Sequence, residues 1–164
     1  PVLRYGIDSF LADAVEAGAN GLLLTDLPTG ADPGLEERVS ASPLDLIRLV
    51  APTTDPDRVP EVAAGGSGFL YYISRTGVTG ATSELRDTIG DEVGRVRAAV
   101  SLPVAVGFGI STPKQAGEVA AVADGVVVGS ALIHLLQDGE IDSAASFLSS
   151  LRSGMDAARS DHSS

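Results

Sequence analysis

Pro103-Val104-Ala105-Val106-Gly107-Phe108-Gly109-Ile110-Ser111-Thr112-Pro113 carries, in one short stretch, the reading that decides the fold. Its first half is an apolar run of strand length without polar alternation, as suits a β-strand buried on both faces. Two glycines follow, then Ser111 or Thr112 placed to cap a helix and Pro113 suited to its first turn. The stretch is one strand-turn-helix unit. Outward from it the pattern recurs: residues 21–26, 46–51, 69–74 and 125–128 are further short apolar runs. From Ile7 the apolar positions Ile7, Phe10, Leu11, Ala14 and Val15 take helical spacing, and Gly18 ends that helix. Further helices are predicted near 57–64, 84–100, 113–121, 131–136 and 141–158. Between 29 and 42, Gly30, Pro33 and Gly34 leave room for only a short helix. Residues 1–5 read as the end of a strand running into Gly6.

Five such runs alternating with helices predict an α/β fold with a parallel sheet of right-handed βαβ units. Periodicity leaves two architectures open, an open five-stranded sheet and part of a (β/α)8 barrel. A whole barrel needs about 250 residues, and the chain has 164. Residues 1–159 are expected to form one domain, followed by a polar, disordered tail at 160–164.

Composition narrows the function classes. With 44% hydrophobic and 20% charged residues and a mean hydropathy of +0.22, the chain is a folded domain rather than a disordered one. Its net charge of −11 repels nucleic acid and anionic membranes. One small anion is still admissible, because helix N-termini bind phosphate through backbone N–H groups. The absence of cysteine excludes disulfides, thiolate metal sites and a cysteine nucleophile. With two histidines a multi-histidine metal centre is not expected, and no metal is assigned. No apolar stretch reaches the roughly 20 residues of a membrane span, and no signal peptide is visible, so a cytoplasmic location is expected.

In parallel α/β folds ligands meet the carboxyl ends of the strands. Gly107 and Gly109 follow one run, and Gly129 and Ser130 follow the next and open a helix. Together the two junctions can cradle a phosphate on backbone N–H groups and the Ser130 hydroxyl. Equally, the glycines can serve tight turns and Ser130 can be an ordinary cap. The stretch Ser74-Arg75-Thr76-Gly77-Val78-Thr79-Gly80-Ala81 suits a lid over such a site. Its plainer reading is a glycine-rich connection with Arg75 and Thr79 solvated. Asp26, at a strand end, could equally cap the following turn. His134, in the apolar run ALIHLL, reads as a helix residue near the exterior without a catalytic role, and His162 belongs to the tail.

The order LLLTDLP, LVAPTT, FLYYISRTGVTGA, PVAVGFGIS and ADGVVVGSALI resembles the tryptophan synthase alpha chain family, from Pro1 to about Arg159. The resemblance implies an incomplete TIM-barrel fold of parallel (β/α) type, about five of eight βα units. The activity it implies is that of a carbon-carbon lyase of tryptophan biosynthesis, cleaving indole-3-glycerol phosphate to indole and glyceraldehyde 3-phosphate. Gly107, Phe108, Gly109, Gly129 and Ser130 match the family's glycerol-phosphate site, and Arg75, Gly77, Thr79 and Gly80 its mobile loop. Tyr71 matches a tyrosine beside the substrate, and Asp26 an aspartate on the path of communication with the beta chain. That beta chain, the implied partner, carries the pyridoxal phosphate, so no cofactor is assigned here.

Pro1 corresponds to the end of the third barrel strand, so the family's catalytic glutamate and aspartate are expected upstream of it. No catalytic residue is therefore assigned within the chain. Glu84, Asp87, Asp91 and Glu92 lie on a helix face, where carboxylates are usually solvated. As a fragment the chain is expected to lack the lyase activity. Two other readings are a non-catalytic α/β module binding a phosphorylated ligand, and a structural fragment that pairs with another chain or self-associates through open barrel edges.

Overall fold

The computed structural model describes residues 1–74, 83–107, 109–137 and 139–161. Five strands form one parallel sheet: β1 (Gly21–Leu23), β2 (Asp45–Val50), β3 (Leu70–Ile73), β4 (Val104–Gly107) and β5 (Gly125–Val127). They pair in strict sequence order, each beside its predecessor. Leu49 stands beside Tyr71, Tyr71 beside Ala105 and Ala105 beside Gly125. A doubly wound sheet would reverse its order partway, and this one does not.

The connecting helices are α1 (Val2–Tyr5), α2 (Ile7–Glu16), α3 (Pro33–Ser40), α4 (Val59–Ala63, after a 3-10 turn at Pro56–Arg58), α5 (Ser83–Ala99), α6 (Pro113–Ala120), α7 (Ser130–Gln137) and α8 (Ile141–Asp161). Strand alternation sends Val50, Leu70, Tyr72, Val104 and Val106 to one face, where they pack with Ile89, Val93 and Val96 of α5, Val119 of α6 and Leu151 of α8. A second cluster joins Leu46 to Leu11 of α2 and to Leu35 and Val39 of α3. Both clusters lie on the same side of the sheet. The opposite face carries Ile47, Leu49, Tyr71, Ile73, Ala105 and Gly107. One-sided helix cover with sequential parallel strands makes this a five-unit segment of a (β/α) barrel.

Local chemistry accounts for the elements. Asp32 caps α3 by accepting the Leu35 N–H, with Pro33 opening the helix. Thr112, rather than Ser111, caps α6, and Gln115 completes a capping box. Helices α6 and α8 approach closely because Gly154 and Gly117 carry no side chains: a Cβ on Gly154 would lie 2.3 Å from the Pro113 carbonyl oxygen.

Three expectations change. Residues 1–5 are not the end of a strand: Val2–Tyr5 is a helical turn, with the Tyr5 and Gly6 N–H groups bonded to the Pro1 and Val2 carbonyls. Among the described residues β1 pairs only with β2, so no strand beside it recruits these backbone groups and the local bonds prevail. For the same reason β1 is shorter than its apolar run, and Leu23 is exposed rather than buried on both faces. The third concerns the tail, because α8 continues through Ser160 to Asp161; residues 162–164 lie outside the described residues.

Candidate functional site

Parallel pairing brings the carboxyl ends of all five strands to one rim. There, beyond β3, β4 and β5, a cleft of about 430 Å³ is lined by Tyr71, Gly109, Ile110, Ser111, Val127, Gly129, Ser130, Ala131 and His134. Tyr71 lies on the face turned away from the helices and reaches toward this rim. A Cβ placed on Gly107 would fall 2.6 Å from the Tyr71 hydroxyl and 2.9 Å from the Val127 Cβ. Gly107 therefore gives the phenol its path across β4. Partial burial pushes the Tyr71 phenol above its ordinary value, so at neutral pH it is an uncharged hydroxyl able to donate a hydrogen bond.

Gly109 and Gly129 contribute differently. Gly109 turns with φ +69°, a conformation glycine adopts without strain. Gly129 has no such requirement, and a Cβ there would meet no atom within 4 Å. Its backbone faces open space at the mouth of α7, whose Leu132 and Ile133 N–H groups bond to the Gly129 carbonyl. The first N–H groups of a helix have no acceptor within it, and in α7 these belong to residues lining the cleft.

At the other junction the supply of donors is smaller. The Gln115 side-chain oxygen takes the N–H groups of Ser111 and Thr112 at 2.9 and 3.1 Å. The cap of α6 thus engages backbone groups that the sequence pattern offered to an anion, leaving Gly109 and the start of α7 as the open part of the cradle. No carboxylate lines the cleft among the described residues, and its titratable side chains are Tyr71 and His134. In a chain of net charge −11, the described lining of this cleft is spared the acidic groups found elsewhere.

The structure brings Tyr71, Gly107, Gly109, Gly129 and Ser130 together. Asp26 is on the same rim, exposed in the turn after β1, but does not line this cleft. Arg75, Gly77, Thr79, Gly80 and Phe108 lie outside the described residues. His134, expected near the exterior without a role, does sit exposed on α7 yet borders the cleft. Its signal in the sequence is its position four residues after Ser130, one turn along the same helix face. Among the described residues there is no group of three or more His, Asp or Glu that could hold a metal. No helix is long and apolar enough to cross a membrane.

Residues 1–159 match the family model described as tryptophan synthase alpha chain. The tryptophan synthase alpha chain of Geotalea uraniireducens is 48% identical over 161 residues, covering 96% of this chain and 60% of the relative. That of Citrifermentans bemidjiense is 46% identical, with coverages of 94% and 60%. Among solved structures, tryptophan synthase of Mycobacterium tuberculosis superposes with a TM-score of 0.80 at 39% identity, covering 94% of this chain and 59% of that one. The alpha chain from Legionella pneumophila gives 0.78 at 35%, covering 95% and 59%. The chain spans about 60% of the length of the curated relatives it matches. A match over nearly every residue, on a sheet whose rim bears the glycine and serine junctions, places this chain in the tryptophan synthase alpha chain family.

Proposed function

We propose that this chain holds the phosphate end of indole-3-glycerol phosphate in a lyase that releases indole and glyceraldehyde 3-phosphate. The observation that carries the reading is the convergence of Tyr71, Gly109, Gly129 and Ser130 on one cleft that no carboxylate lines among the described residues. A phosphate dianion seated there would accept the N–H groups at the start of α7 and the Ser130 hydroxyl. The open backbone at Gly129 admits its oxygens, and the uncharged Tyr71 hydroxyl adds a donor beside the glycerol. Phe108, Arg75, Gly77, Thr79 and Gly80, which lie outside the described residues, are proposed to belong to the same substrate site on the family resemblance alone.

Cleavage makes a further demand. The bond between the indole ring carbon and the glycerol carbon breaks, its electron pair returns to the ring, the ring carbon gains a proton and the glycerol hydroxyl loses one as the aldehyde forms. The indole nitrogen must exchange a proton along the way. Such a step calls for a general acid and a general base on either side of the bond, and Asp26 is one carboxylate on the rim outside the cleft. These 164 residues are therefore assigned binding, with cleavage dependent on a segment bearing two carboxylates. That no carboxylate lines the cleft among the described residues also favours the second reading, a module that binds a phosphorylated ligand without turning it over. The partners proposed are a tryptophan synthase beta chain, with Asp26 toward the path of communication, and further copies of the chain through its open sheet edges.

Calorimetry with glycerol 3-phosphate tests the seat. Gly129→Val should abolish binding, and Ser130→Ala should weaken it by about 1 kcal/mol; unchanged affinity in both removes the site. An indole-release assay tests the chemistry. The chain by itself is expected to release none, and activity should appear when a carboxylate-bearing segment is supplied in cis or in trans. Robust release by the 164 residues, abolished by Asp26→Asn, would overturn this division of labour.

A further inference from the structure

We infer that His134 is a direct ligand of the phosphate and supplies the cationic or N–H donor side chain that the described cradle otherwise lacks. The inference rests on the proposed seating of a phosphate at Gly129 and Ser130, and it extends that site by one residue. His134 lies on α7 four residues after Ser130, so both side chains share a helix face. In a helix each Cα–Cβ bond leans toward the N-terminus, and a side chain therefore covers the turn before its own Cα. An imidazole at position 134 thus extends over the first turn of α7, and it borders the same cleft as Tyr71, Gly109, Gly129 and Ser130. It is exposed, and its imidazole has no hydrogen bond or ion pair with the described residues, so it can turn toward a ligand without breaking a contact among them.

Charge gives the arrangement its purpose. A phosphate monoester approaching a chain of net charge −11 meets repulsion that backbone dipoles at one helix end must offset. Among the described residues lining the cleft, His134 is the side chain that can carry a positive charge. A neutral imidazole donates one N–H to a phosphate oxygen, and an imidazolium donates with charge as well. Among the described residues of this lining there is no Arg or Lys, so within them selection for a phosphate ester over an uncharged polyol of the same shape would rest on the helix start and on His134.

The test is calorimetric titration of glycerol 3-phosphate into the chain and four variants, with circular dichroism to establish that each is folded. Ser130→Ala serves as the reference for the cradle. His134→Ala should weaken binding about three- to tenfold, His134→Gln should recover part of the loss, and His134→Lys should restore affinity to within about twofold of the parent. Parental affinity in His134→Ala alongside weakened binding in Ser130→Ala would overturn the role of His134 and leave the proposed function standing. Equal weakening by Ala and Lys would also overturn it, because the loss would then follow packing instead of charge. A folded parent that binds no glycerol 3-phosphate would remove the cradle and this ligand together.

Discussion

A single methyl group separates two kinds of glycine at the rim. At position 107 it would collide with Tyr71 and Val127, whereas at position 129 it would meet nothing. Gly107→Ala should therefore push the phenol off β4 and into water. Because burial raises the Tyr71 ionisation, the folded chain favours the neutral hydroxyl. The stability this contributes is present below the ordinary phenol range and is lost as pH rises through the raised folded value. In Gly107→Ala the phenol should ionise nearer its ordinary value. Ultraviolet difference titration against a Tyr71→Phe control isolates the signal, and an unshifted titration would contradict the placement of the ring. Gly109, Gly129 and Ser130 were legible in the sequence, since the residues just after strand ends are where parallel sheets meet ligands, whereas Tyr71 was named only through the family resemblance. The diversion of the Ser111 and Thr112 N–H groups to Gln115 was not, because it depends on a side-chain rotamer. His134 was hidden by its apolar neighbours, which made its helix look like exterior packing alone.

Among the elements, β2 shows how a charged residue can occupy a core position. Its helix-facing side presents Leu46, Arg48 and Val50, and Arg48 is 3% exposed. The Arg48 Nη2 lies 2.5 Å from a Glu36 carboxylate oxygen, and the other oxygen of Glu36 accepts the Gly30 N–H at 2.7 Å. The Thr29 hydroxyl donates to the Val62 carbonyl. Helix α3, strand β2 and the segment after Asp26 are thereby tied through one carboxylate. Glu36→Ala would strand a buried guanidinium whose Nε already has no partner among the described residues, at a cost of about 3 kcal/mol. Replacing both partners, as in Glu36→Gln with Arg48→Met, should recover much of that loss. Urea unfolding measures both, and a parental midpoint for Glu36→Ala would refute the tie. The other helix and strand runs were readable from apolar spacing, whereas the helical turn of α1, expected as a strand end, and the extent of β1 were not. Spacing records what a residue prefers to bury, while an edge is defined by which strand lies beside it.

For the molecule as a whole, β1 and β5 each have one partner strand among the described residues, and Leu23, Ile133, Leu136, Ile141 and Leu148 are exposed. Unpaired strand edges with apolar surface nearby favour association. Sedimentation of the chain should reveal concentration-dependent self-association, weakened by placing Lys at Leu23. A strictly monomeric species with a cooperative thermal transition would argue that the edges are tolerated as they stand.

Strand pairing limited to sequence neighbours also orders the molecule in time. Each βα unit can dock on the one before it without waiting for a distant partner, which keeps the loops to be closed short and assembly rapid. Opening should run the opposite way, beginning at the margins. Amide hydrogen exchange should be slowest in Leu70–Ile73 and Val104–Gly107, which are hydrogen-bonded on both sides, and progressively faster toward Gly21–Leu23 and Gly125–Val127. Uniform protection across all five strands would mean that the sheet opens only as one cooperative body.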